Sequence, residues 1–427
     1  MSKSTKTPTP TKVGIQRTNG LVPLLRFPEF MEAGEWGIAP LKKLANRRTE
    51  RNRDGKLTRV LTNSAEHGVV DQRDYFDKDI ATQGNLENYL IVKKDDFVYN
   101  PRISSFAPVG PISRSRIETG VMSPLYTVFY FKDSNADFYA HYFKSSAWHT
   151  YMRQVGSTGA RHDRMAISNE DFMAMPLPVP SADEQQKIAD CLSSLNALIT
   201  AQADKIDALK THKKGLMQQL FPREGETVPR LRFPEFRDSG EWGRTQLSTQ
   251  VELISGLHLS PTEYSDIGEI PYFTGPSDYS NELSTVRKWT ARSENVGRSD
   301  DTLITVKGNG VGELLRLKLD AVAMGRQLMS VRPSIAHGGF IFYFLETQRQ
   351  RLIELASGNL IPGLSRGDIL SLEILVPEKQ EQIKVANCFS ALDALIAAAT
   401  ENLDALKTHK KGLIQQLFPN NQEAVGE

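Results

Sequence analysis

At 427 residues the chain is long enough for two or three domains, each with its own core, and its formal net charge of +1 gives no global basic excess. Any attraction to nucleic acid must therefore come from local charge. Only two cysteines are present, Cys191 and Cys388, which argues against a disulfide framework or a cysteine-built zinc site and points to a reducing, cytoplasmic setting.

The opening stretch MSKSTKTPTPTK is polar and rich in Pro and Thr, so residues 1–21 are expected to be a disordered tail and not a signal peptide. No run stands out as apolar and long enough to span a bilayer. The first patterned segment then occurs twice. Val22–Gly37 reads VPLLRFPEFMEAGEWG and Val228–Gly243 reads VPRLRFPEFRDSGEWG, 206 residues apart (228 − 22). The closing segments repeat as well: Asp207–Pro222 (DALKTHKKGLMQQLFP) and Asp404–Pro419 (DALKTHKKGLIQQLFP) differ only at Met217 and Ile414, with an offset of 197 (404 − 207). The chain is a tandem duplication with nearly identical ends and diverged middles, the first middle longer by nine residues (206 − 197). Such a pattern suggests one scaffold holding two different readers.

Within the middles, Tyr89–Tyr99, Leu125–Phe131 and Asp301–Val306 have strand character, and Phe138–Val155 and Phe340–Leu355 look helical. MPLPVP (Met175–Pro180) and LEILVP (Leu372–Pro377) read as a last strand leading into a long helix. In the first copy Ile188, Leu192, Leu195, Ile199, Gln202, Ile206, Leu209, Lys213, Leu216 and Leu220 step by four and three; in the second, Val385, Phe389, Leu392, Ile396, Ala399, Leu403, Leu406, Lys410, Leu413 and Leu417 do the same. This is a heptad a/d seam, and it predicts a coiled coil built from Asp183–Phe221 and Glu378–Phe418, paired antiparallel, with Leu209 and Leu406 largely buried. Ser181 or Asp183 can cap the first helix, and Phe-Pro ends each one. A helix of this length spans roughly 57 Å. Gly215 and Gly412, inside otherwise strong helix sequence, suggest the close approach of another backbone.

Catalytic signals are missing. No phosphate-binding loop is present: Lys56 is followed by Leu57, and Lys307–Gly312 lacks the lysine and hydroxyl that such a loop needs. Asn100-Pro101-Arg102 lacks the second proline and the aromatic of an amino-methyltransferase motif, and the eight histidines have no metal spacing. Basic and amide-bearing loops stand out instead. The first middle offers Arg47, Arg48, Arg51, Arg53, Asn100, Arg102, Arg114, Arg116, Arg161 and Arg164; the second offers Arg287, Lys288, Lys307, Asn309, Arg326 and Gln327. Arginine forks and Asn/Gln amides can read guanine and adenine edges, while lysines hold phosphates. Charge runs of this kind are also the ordinary dress of solvated loops.

The arrangement resembles the specificity subunit of type I restriction-modification enzymes. The residues that carry the resemblance are Leu25–Phe30 with Glu35-Trp36, and Leu231–Phe236 with Glu241-Trp242. They are joined by Ser168, Pro180, Glu184-Gln185 and Ile188, by Leu364-Ser365 through Pro377 with Glu381-Gln382 and Ile383, by Leu392–Ile396, and by Lys410–Leu413 with Gln415–Phe418. The resemblance implies an α+β fold: two mixed α/β target-recognition domains separated by two long helices in an antiparallel coiled coil, related by a pseudo-two-fold axis. It assigns residues 22–180 to the first recognition domain, 181–222 to the first long helix, 223–242 to a linker and the start of the second repeat, 243–377 to the second recognition domain, 378–419 to the second long helix, and 420–427 to a tail. It further implies a subunit with no catalysis and no cofactor of its own. Such a subunit reads a split, asymmetric sequence in double-stranded DNA and directs two methyltransferase subunits and motor-nuclease subunits to it. S-adenosylmethionine, ATP and magnesium would then belong to those partners. Two alternatives stay open: a coiled-coil adaptor between proteins without DNA selectivity, and an enzyme with an unrecognised site in one middle.

Overall fold

The segments that the sequence repeats are the segments that build the frame. The computed structural model describes residues 21–75, 86–132, 136–158, 163–292, 294–308, 310–357 and 363–419. The chain divides into two compact units, one made of Met1–Ala201 with Leu403–Glu427, the other of Gln202–Asn402. The compact units are therefore not the sequence repeats. Each unit holds its own diverged middle and the N-terminal half of its own long helix, but the C-terminal half of the other repeat's helix.

In the first unit the strand Gly37–Pro40 enters the middle and pairs antiparallel with the exit strand Pro176–Val179. In the second, Gly243–Gln246 pairs in the same way with Glu373–Val376. Each middle is thus an insert closed at its base by two strands, the second of which leads into a long helix. The expected strands at Met175–Pro180 and Leu372–Pro377 are present in shortened form.

The first middle is built on a four-stranded antiparallel sheet in the order Ala45–Arg47, Thr127–Phe131, Phe97–Tyr99, Ile112–Arg114. The apolar stretch Tyr89–Tyr99, which looked like one strand, is two: Leu90–Val92 and Phe97–Tyr99, separated by a tight turn in which Asp95 takes φ 71°. The expected helix Phe138–Val155 is also two, Ala136–Tyr142 and His149–Val155. Ser145 breaks it by donating its hydroxyl to the Tyr142 carbonyl, a local bond that competes with the helical ladder. The second middle carries two four-stranded sheets. One runs Val251–Ser255, Leu328–Pro333, Thr302–Thr305, Leu314–Arg316; the other runs Trp289–Thr290, Ile270–Phe273, Ala321–Met324, Val296–Arg298 and contains one parallel pairing. The helix expected at Phe340–Leu355 spans Gly338–Ser357.

The long helices run Ala182–Leu220 and Lys379–Leu417, 39 residues each. Ser181 accepts the Glu184 amide and caps the first. Within the second unit Gln202 donates its side-chain amide to the Ala399 carbonyl, Lys213 pairs with Asp393, and Leu216 and Leu220 pack in one core with Val385, Phe389 and Leu392. The contacts descend along one helix as they ascend along the other, so the pair is antiparallel. In the first unit Ile188 and Leu192 share a core with Ile414, Leu417 and Phe418 in the same sense.

Every seam position is buried or half-buried, as the heptad register predicts. Leu209 and Leu406 are half-buried, not largely buried as expected. A two-helix seam covers its central leucines from one side only, whereas Ile188, Leu192, Leu220, Val385, Phe389 and Leu417 are sealed by the middles as well. Of the two sources expected for a close approach at Gly215 and Gly412, this chain or a partner subunit, the first is not found: a Cβ built on either glycine meets nothing within 4 Å among the described residues. Among the described residues one helix, Lys379–Leu417, is long and apolar enough to cross a bilayer by length and composition, against the sequence reading. Its alanine-rich stretch accounts for this, and in the unit its seam residues pack against protein.

Candidate nucleic-acid interface

The base of each unit is a junction that fixes where the reading loops stand. In the first, the Arg26 guanidinium makes two bonds of 2.7 Å to the Glu184 carboxylate, with side chains 7% and 1% exposed. The Leu25 amide donates to the Gln416 carbonyl at 3.0 Å, and Phe138 lies edge-on to both Trp36 and Phe418. In the second, Arg232 holds Glu381 at 2.8 and 2.7 Å, the Leu231 amide donates to the Gln219 carbonyl, and Phe340 packs with Trp242 and Phe221. Gln185 and Gln382 each donate to the carbonyl of the proline that ends the preceding strand, Pro180 and Pro377. The repeated motifs LRFPEF, Glu-Gln and QQLFP are therefore three sides of one joint.

On this base the arginines of the first middle fall into two kinds. Arg48 is spent on structure: it forks onto Asp96 at 2.5 and 2.8 Å and lies over the Tyr130 ring. Arg114 and Arg116 both reach Asp95 and Asp137. Burial opposes ionisation of Asp137, but the Arg116 hydrogen bond and the charges of Arg114 and Arg116 outweigh it and hold its carboxyl below the usual range. Arg51 donates to the Asn88 carbonyl, and Arg47 lies at the end of the edge strand with its Nε buried and without a partner among the described residues. The Asn100 amide is already used, donating to the Asn63 carbonyl and accepting the Arg102 backbone N–H. The second kind is exposed. Arg102 and Arg164 face each other across an antiparallel bridge, fixed by the Ile103 amide on the Asp163 carbonyl and the Met165 amide on the Pro101 carbonyl. Arg53 is exposed on a separate turn held by Asn52, which is fully buried and bonded to Leu57 and Leu86. Arg161 and Asn309 lie outside the described residues.

In the second middle three loops converge. A Cβ at Gly275 would come to 3.0 Å from Gln327 Oε1, one at Gly310 to 2.4 Å from Pro276 Cγ, and Gly308 sits at φ 88° beside the Gln327 amide. Larger residues at these positions would push the loops apart. Lys307 and Arg326 are exposed on this junction without ion-pair partners among the described residues. Lys288 joins it by donating to Thr274 Oγ1 at 3.1 Å, while Arg287 is exposed on the wall of a neighbouring cleft of about 320 Å³. The structure thus gathers Lys288, Lys307, Arg326 and Gln327 at one site. Sequence reasoning missed the Gly275-Pro276 loop that organises it; the only signal was the Gly-Pro dipeptide.

Among the described residues no group of three or more His, Cys, Asp or Glu stands ready to hold a metal. Paired entry and exit strands, unlike inserts and a repeated helical frame define a duplicated binding scaffold. A family model described as Type I restriction modification DNA specificity domain matches residues 69–211 and 241–408, and the chain belongs to this family. The MjaVIII type I restriction enzyme specificity subunit of Methanocaldococcus jannaschii is 22% identical over 292 residues, 62% of this chain and 65% of that one. A second chain of that organism, named for the MjaX enzyme, is 24% identical over 264 residues, 60% of this chain and 61% of the relative. The alignments thus span less than two thirds of either relative's length. The fold is that of the type I restriction-modification S subunit from M. genitalium (TM-score 0.59, 15% identity, 93% of this chain and 99% of that chain). It also matches a chain from a structural study of assembly and conformational transition in a type I system (TM-score 0.57, 17% identity, 90% and 98%).

Proposed function

We infer that the protein is the sequence-reading subunit of a type I restriction-modification assembly, recognising a bipartite, asymmetric sequence in double-stranded DNA. One observation carries this: a repeated joint, with the same arginine–glutamate pair in each unit, supports two unlike sets of exposed cationic loops, Arg102 with Arg164 in one unit and Lys307, Arg326 and Gln327 in the other. Two unlike readers on one duplicated frame suit two unlike half-sites, where identical readers would require a palindrome. In this reading the guanidinium forks of Arg102, Arg164 and Arg326 face guanine edges, the Gln327 amide faces adenine, and Lys307 holds a phosphate. Arg48 and Arg114 keep the loops in place. The subunit carries out no bond-making step. Methylation and cleavage belong to methyltransferase and motor-nuclease partners, which would hold S-adenosylmethionine, ATP and magnesium.

Exchange of Gly37–Met175 for the corresponding segment of another family member tests the reading by sequencing of methylated sites in cells that carry the partner subunits. One half of the recognised sequence is expected to change while the other persists. A change in both halves, or methylation without sequence preference, would refute independent readers.

A further inference from the structure

The joint is not electrically the same in the two units. In the second, the repeated lysine Lys213 is clamped by Glu346 at 2.9 Å and Asp393 at 2.8 Å and lies over the Tyr343 ring. Its counterpart in the first unit is Lys410 (213 + 197). The residue at the place of Asp393 is Asn196 (393 − 197). The place of Glu346 follows from packing. Phe340 and Phe138 occupy the same aromatic position, and three residues on Tyr343 and His141 reach Ser390 and Ser193, which are themselves 197 residues apart. Six residues past each phenylalanine stand Glu346 and Lys144. Both carboxylates that neutralise Lys213 are thus replaced, one by an amide and one by a second cation.

The replacement opens onto a cleft of about 570 Å³ in the first unit, lined by Lys144, Lys407, Lys410 and Lys411. None of the four has a carboxylate within ion-pairing distance among the described residues. Crowding by protein atoms, with the Lys410 charge second, holds the Lys144 ammonium below the ordinary lysine value, and burial does the same to Lys410. Trp148 and Phe106 supply apolar wall, the latter 76% exposed. Four unpaired cations in a half-apolar cleft constitute an uncompensated charge cluster.

We propose that this cleft is a docking site for an acidic, aromatic-bearing segment of a partner protein, whose carboxylates do for Lys410 and Lys144 what Glu346 and Asp393 do for Lys213. The second unit names the chemistry, since the same frame satisfies the same lysine with a pair of carboxylates. The apolar wall favours a peptide over a phosphodiester strand. A cleft of about 530 Å³ stands at the equivalent place in the second unit, but Glu346 lines it where the first unit has Lys144, so a partner that recognises the lysine cluster binds the duplicated scaffold asymmetrically. The proposal does not depend on DNA reading.

The test uses the full chain and a fluorescein-labelled peptide with adjacent glutamates beside a phenylalanine, followed by anisotropy, with the glutamine version of the peptide as control. The glutamate peptide is expected to bind and the control not to. The double substitution Lys144→Glu with Asn196→Asp rebuilds the second unit's clamp in the first. It is expected to weaken binding by at least about tenfold while leaving the fold intact, and Lys410→Gln to weaken it similarly. Undiminished binding to both variants would overturn the proposal. Displacement of the peptide by a short DNA duplex that binds both variants weakly would also overturn it, assigning the cleft to phosphodiesters.

Discussion

His141 stands where the second unit has Tyr343, and the exchange decides how the first unit behaves in acid. It is 7% exposed, bonded to Ser193 at 3.1 Å, and faced by Lys410, Asp137, Arg116 and Lys144. Burial, and after it the Lys410 charge, lowers its pKa from 6.5 to about 4. Between these values the unfolded chain binds a proton that the folded one refuses, so stability is full above pH 6.5 and falls as pH drops toward 4. The loss approaches about 3 kcal/mol at the low end. His149, lowered to about 4 by burial, acts in the same direction. His141→Gln retains a partner for Ser193 and removes the titration. Melting curves from pH 7 to pH 4.5 should then fall less steeply than those of the parent chain; parallel curves would mean that His141 is not the group that titrates. The clamp around Lys213 shows the opposite economy, with burial and the Asp393 charge holding Glu346 above the usual carboxylate range despite its ammonium partner.

At the scale of elements, the Arg26–Glu184 pair makes the repeated motifs intelligible. LRFPEF and the Glu-Gln at each helix start lie far apart in sequence yet recur together, and in each unit an arginine in one is sealed against a glutamate in the other. Glu184→Ala leaves Arg26 buried and unpaired, at a cost of about 3–5 kcal/mol, whereas replacing both residues by apolar ones of similar volume should cost less than the single change. Urea midpoints of the single and double variants decide between these outcomes. The open surroundings of Gly215 and Gly412 give the reverse expectation. Gly215→Ala with Gly412→Ala should raise stability by about 1 kcal/mol per site, and a loss would reveal a neighbour from outside the chain. The heptads were legible in the sequence because a period near 3.5 sustained through Ile188–Leu220 has few other physical uses. What could not be read was which half-helix belongs to which unit. QQLFP closes both helices in identical letters, so nothing in the sequence says that Gln416 meets Leu25 while Gln219 meets Leu231. Nor could charge alone separate Arg48, locked onto Asp96, from Arg102, open to solvent; that depends on a turn at Asp95 that periodicity does not show.

For the whole molecule, the exchange of helix halves has a mechanical consequence. Both long helices run unbroken through the division between the units, which falls after Ala201 in one and after Asn402 in the other. Neither unit is complete without a half-helix delivered by the other repeat, so the helices are at once the core of each unit and the connection between them. Gln202 and Ala399 are hydrogen-bonded partners across the pair, which makes the points after Ala201 and Ala398 matched places for insertion. One heptad added at each preserves the a/d seam and lengthens both helices by roughly 10 Å. The joints at Arg26–Glu184 and Arg232–Glu381 and the loops around Arg102 and Gln327 lie outside the lengthened stretch and stay as they are. If the helices set the unread gap between half-sites, the lengthened protein should methylate, with its partners, a sequence whose two halves are unchanged but whose gap is longer. Should the added turns carry one reader off its groove, binding to any spacing should be lost while melting remains that of a folded protein. Methylation of the original spacing with undiminished efficiency would show that something other than the helices, such as bending of the DNA, sets the distance.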